Sequence, residues 1–105
     1  MRSSQTNSSE FLEAVTSQAL EILERLGSSD GVVARTRDLI HLAHEEGVLA
    51  SCSIDGCAAG IIYIAGILEK KPVTLSVVGN AAKLHATTVR KYKTLLATQL
   101  KNKWR

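Results

Sequence analysis

Apolar residues recur along most of the chain at intervals of three and four, the spacing that keeps one face of an α-helix apolar. The first run is Phe11, Val15, Ala19, Ile22, Leu23 and Leu26, and Gly27 after it predicts a helix stop. Ser28-Ser29-Asp30 offers capping oxygens for a second helix. Its apolar face runs through Val32, Val33, Leu39, Ile40, Leu42 and Ala43 before Gly47, with His41, Glu45 and Glu46 turned outward. Between Gly56 and Leu68 the pattern changes: apolar or small residues occupy every face, which predicts a helix surrounded by others. Ser53 can cap this segment, and Asp55 in its first turn complements the helix dipole. Ala58, Ala59, Gly60, Ala65 and Gly66 leave room for close neighbours, Ile61, Ile62, Ile64, Ile67 and Leu68 fill the gaps, and Pro72 stops the helix from running far beyond Glu69. Thr74 can cap a short fourth helix with Leu75, Val78, Ala81 and Ala82 on one face. The pattern breaks at Leu84-His85-Ala86 and resumes in a longer fifth helix through Val89, Tyr92, Leu96 and Leu100, starting near Ala86 or Thr87.

Composition narrows this to an all-α domain. With 105 residues, 45% of them hydrophobic, the chain can build one core but not two; residues 9–105 are expected to form it, behind a flexible Ser-rich tail at 1–8. Only 4% of residues are aromatic, so the core must be aliphatic, which favours packed helices over a sandwich or barrel. The apolar stretch from Ile54 to Leu68 is too short for a membrane span, which needs about 20 residues. The polar N-terminus lacks the apolar segment of a secretory signal, so an intracellular chain is expected, with Cys52 and Cys57 as reduced thiols rather than a disulfide. A zinc site recruiting His41 and His44 would need a cysteine spacing that this pair does not have, and no cofactor is expected.

The distribution of charge carries more information than its net value of +3. All ten acids lie at or before Glu69, among four basic residues, a net of −6, whereas the nine basic residues from Lys70 onward meet no acid at all. A local +9 attracts polyanions whatever the overall charge. It coincides with a short helix, a tight turn and a longer helix opening Thr87-Thr88-Val89-Arg90, a candidate helix-turn-helix. A recognition helix turns its N-terminal residues to base edges while flanking cations meet phosphates. Thr87, Thr88 and Arg90 stand at the reading positions, since arginine pairs bidentately with guanine and threonine offers a hydroxyl and a methyl. Lys83, Lys91 and Lys93 are the expected positioning contacts. The competing reading makes the two threonines plain helix caps and the cations a solubilising face. No phosphate loop, nucleophilic triad or carboxylate pair is present, and His85 reads as a polar hinge residue, so no enzyme and no small-molecule substrate are expected.

These residues resemble a known family. Ala58-Ala59-Gly60-Ile61-Ile62-Tyr63-Ile64-Ala65, then Thr74 eleven residues after the tyrosine, Val78, Ala81-Ala82, Leu84 and Thr88-Val89-Arg90 look like the cyclin-like repeat of the transcription factor IIB family. The resemblance is strong from Ser53 to about Leu96. It implies a five-helix cyclin-like fold with a central third helix and a helix-turn-helix formed by the last two helices. It also implies a complex with TATA-binding protein and promoter DNA that helps to place RNA polymerase, in the cytoplasm of an archaeon or the nucleus of a eukaryote. Thr87 and Arg90 match the family's base-contacting positions, and Thr88 and Val89 complete its Thr-aliphatic-Arg signature. The chain ends shortly after the fifth helix, as the family's C-terminal repeat does, which favours that repeat.

Three positions depart from the family pattern. Lys93 stands where a tyrosine usually follows the signature arginine, with Tyr92 one residue earlier. Lys83 stands where the turn often has glycine, and Leu49 to Ile54 replaces a Gly-Arg-Ser/Thr-Pro segment. The chain has no zinc ribbon, linker or second repeat, as expected of a piece of a longer factor or a divergent stand-alone relative. A different use of the same fold is a protein-binding adaptor without DNA affinity, working through the acidic second helix and a groove beside the third.

Overall fold

The computed structural model describes residues 3–51 and 53–100; Cys52 and the basic residues at 101–105 lie outside them. Five α-helices follow one another: α1 (Ser3–Leu26), α2 (Asp30–Glu45), α3 (Ile54–Leu68), α4 (Leu75–Ala82) and α5 (Ala86–Gln99). A 3₁₀ turn at Val48–Ser51 precedes α3, and no strand occurs among the described residues. This is the all-α arrangement with a central third helix that the pattern predicts, and it is consistent with the cyclin-like fold that the resemblance implies. α1 takes in residues 3–8, the stretch expected to be a tail.

The predicted caps act at three N-termini. Ser29 Oγ accepts from Val32 N at 3.4 Å, Ser53 Oγ from Gly56 N at 3.0 Å and Thr74 Oγ1 from Val77 N at 3.1 Å, each satisfying a donor that the helix leaves without a partner. Helix ends are more varied. Gly27 and Gly47 take the left-handed conformation expected of glycine, but Lys70 (φ 61°) and Lys83 (φ 62°) take it as well. α3 therefore closes at Lys70, where Lys71 N donates to Gly66 O at 2.8 Å and Lys70 N to Ile67 O at 3.1 Å. Pro72 lies beyond a stop already made.

α3 is the hub. α1, α2 and α5 all pack on it, and α4 reaches it from the side. Residues Gly56 to Ile62 and Ile64 to Gly66 are buried, as the all-round pattern predicts. Ile67, read as a gap filler, is instead 48% exposed. The closest approach is made by α5. A side chain on Gly60 would meet the backbone of Tyr92 and Lys93 at 3.1 Å and Leu96 Cδ1 at 2.9 Å; the missing Cβ is what lets α5 sit directly on the hub. Of the α2 face read from sequence, Val32, Leu39, Ile40 and Ala43 are buried and Val33 and Leu42 half-buried, with one polar addition. Thr36 is fully buried and gives its hydroxyl to Val32 O at 2.8 Å, a bond to its own helix that removes the cost of an unpaired hydroxyl. Arg35 Nε donates to Glu69 Oε2 at 2.8 Å and ties α2 to the end of α3.

Candidate nucleic-acid interface

α4 is only eight residues long, too short to persist without tertiary support. Its support is at the turn. Leu84 N donates to Gly79 O at 2.8 Å and Lys83 N to Asn80 O at 3.3 Å, the paired bonds of a helix closed by one left-handed residue. A Cβ on Gly79 would lie 2.6 Å from Leu84 O, so the tight turn requires a glycine there. The turn in turn forces residue 83 into the left-handed region, although it is a lysine. For an L-residue this conformation costs about 1–2 kcal/mol.

α5 starts three residues later. His85 occupies its N-cap position in extended conformation and makes no side-chain cap; its carbonyl accepts from Thr88 N at 3.0 Å and Val89 N at 3.1 Å. Thr87 and Thr88 are thus inside the first helical turn and do not cap it, which removes one half of the competing reading. Val89, Leu96 and Leu100 are fully buried and form the seam against the hub. Tyr92 is half-buried, its ring lying over Gly56 where any side chain would collide with it.

The opposite face carries Thr87, Arg90, Lys91, Thr94 and Thr98, all exposed and spaced for a single helical stripe. Lys83 is exposed at its leading end. Of the six residues singled out by sequence, Lys83, Thr87, Arg90 and Lys91 are therefore together at the surface. Thr88 is half-buried at the edge. Lys93 is also half-buried, with its ammonium 5.9 Å from the ring centre of Tyr63 on α3, whereas Lys91 sits 5.6 Å from the ring of Tyr92; both are cation–π distances. Among the described residues no carboxylate pairs with Lys83, Arg90, Lys91 or Lys93. The positive field of this face is consequently open to an external anion.

Sequence reading missed Thr94 and Thr98, which the helical spacing from Thr87 could have supplied, and Arg25. The Arg25 guanidinium reaches from α1 to donate to Ala81 O at 2.7 Å, at the end of α4. No local signal marks a contact across 56 positions.

The chain is 37% identical over 75 residues to transcription initiation factor IIB 2 of Haloferax volcanii, a match covering 70% of this chain and 23% of that protein. It is 34% identical to transcription initiation factor IIB of Methanopyrus kandleri over 70 residues, with 66% and 23% covered. Against transcription initiation factor IIB 3 of Halobacterium salinarum it is 34% identical over 83 residues, with 75% and 26% covered. The chain carries a region of the transcription initiation factor IIB family. It spans about a quarter of the length of these curated factor IIB relatives, and no family model matches it.

Proposed function

We propose that α4, the turn and α5 act as a DNA-binding helix-turn-helix in a non-enzymatic, intracellular initiation module of the factor IIB type. On this reading Thr87 and Arg90 read base edges in the major groove beside a TATA box, with Thr88 at the edge of the contact. Lys83, Lys91 and Lys93 meet phosphates, and Lys93 leaves Tyr63 to do so. TATA-binding protein and RNA polymerase are the protein partners, and the C-terminal repeat of the family is the part this domain corresponds to. The observation that carries the reading is the exposed Thr87-Arg90-Lys91 stripe on the leading turns of a helix whose opposite side is sealed to the core.

The experiment is an electrophoretic assay on a TATA-containing promoter duplex, with and without TATA-binding protein. Arg90→Ala is expected to weaken the ternary complex while leaving the fold intact; an unchanged complex refutes the readout role. The adaptor reading has its own support in a cleft of about 260 Å³ beside α3, lined by Leu26, Val32, Ile62 and Val73 with Lys71 at its edge. Polymerase binding without any duplex affinity at low salt would select it.

A further inference from the structure

The C-terminal end of α4 leaves carbonyls that the helix itself cannot satisfy. Gly79 O accepts from Leu84 N and Asn80 O from Lys83 N, both within the turn. Ala81 O accepts from Arg25 Nη1 at 2.7 Å, a donor on a different helix. Arg25 Nη2 also lies 3.6 Å from Glu21 one turn earlier on α1, an exposed pair that contributes little, and a cation at a helix C-terminus meets the negative end of the dipole. α4 is otherwise held by apolar packing: Val78, Gly79 and Ala82 are buried, and Leu75 and Ala81 are half-buried against the core. The guanidinium therefore supplies a directional bond at the point where the chain turns into α5.

We propose that Arg25 is a positioning residue for the DNA-reading helix: by clasping Ala81 O it fixes where α4 ends, and so the angle at which Thr87 and Arg90 meet a duplex. This rests on the DNA-binding reading above. It assigns a role in recognition to a residue 65 positions before Arg90, outside the basic third of the chain. On this reading Arg25 acts through Ala81 O and not as a phosphate contact.

The test uses the full chain and a duplex enriched by the wild type from a random-sequence library, beside an unselected duplex of equal length. Arg25→Ala is expected to lose about five- to tenfold in affinity for the enriched duplex, the loss of one solvent-exposed hydrogen bond. Affinity for the unselected duplex and the salt slope should stay as they are. Without DNA, the Leu84 amide should exchange faster with solvent, and Arg25→Lys should restore most of both effects because it still donates. Equal losses on both duplexes with a salt slope smaller by about 0.9 would make Arg25 a phosphate contact and overturn the proposal. So would unchanged affinity for the enriched duplex, or unchanged Leu84 exchange. A wild type that enriches no duplex overturns the DNA-binding reading itself, and Leu84 exchange, read without DNA, distinguishes that failure from failure of the clasp.

Discussion

α3 and α5 have nearly the same length, 15 and 14 residues, yet ten residues of α3 are buried and only Val89 and Leu96 within α5. α3 carries one charged side chain, Asp55, whereas α5 carries Arg90, Lys91 and Lys93. From Gly56 to Gly66 the hub spends nearly every position on packing. α5 holds to it by one seam and packs on α4 beside it, which leaves the exposed stripe from Thr87 to Thr98 free to meet a partner. A helix that works on an external surface needs a neighbour rigid enough to let it commit so little of itself, and the Gly60 crossing shows how: backbone contact replaces side-chain area.

If that division of labour is right, changes to the hub should act on stability and changes to the free face on binding. The largest effect is expected from Ile61→Ala, which empties a fully buried site; unfolding in urea should show a loss of about 2–5 kcal/mol. Gly79→Ala attacks the joint between the two regions, since its Cβ would lie 2.6 Å from a backbone oxygen. It should cost about 1–3 kcal/mol and, unlike Ile61→Ala at equal folded fraction, also weaken duplex binding. Arg90→Ala should cost about 1–3 kcal/mol of binding to the preferred duplex with stability changed by less than about 0.5 kcal/mol; a comparable loss of stability would blur the comparison. The smallest effect is expected from Lys83→Gly. It relieves the left-handed lysine and should raise stability by about 0.5–1 kcal/mol while lowering the salt slope of binding by about 0.9. A more stable variant with undiminished affinity would remove Lys83 from the interface.

What sequence alone could locate divides along similar lines. α3 was legible because its apolar and small residues leave no face unaccounted for, and the starts of α2, α3 and α4 because Ser29, Ser53 and Thr74 announce themselves as caps. Where α3 and α4 end was also legible, near Glu69 and before Leu84, but how they end was not: lysine gives no sign of a left-handed backbone, and the stop is made at Lys70 and Lys83 rather than by Pro72. Ile67 looked like core because an all-round apolar pattern does not reveal which side of the helix a neighbour leaves uncovered. The candidate site was readable as far as one helix carries it, from Thr87 through Arg90 to Lys91. The half-burial of Lys93 beside Tyr63 and the reach of Arg25 to Ala81 depend on which helices meet, and spacing along the chain does not encode that.

The burial of Cys57 has a chemical corollary. Its side chain has no accessible surface in the folded domain, and a thiol reacts through its thiolate when a reagent can reach it. Oxidants and alkylating agents can therefore act on this sulfur only in molecules whose hub has already come apart. Damage at this position would mark chains that had opened, and an intact domain would pass through oxidising conditions with this thiol untouched.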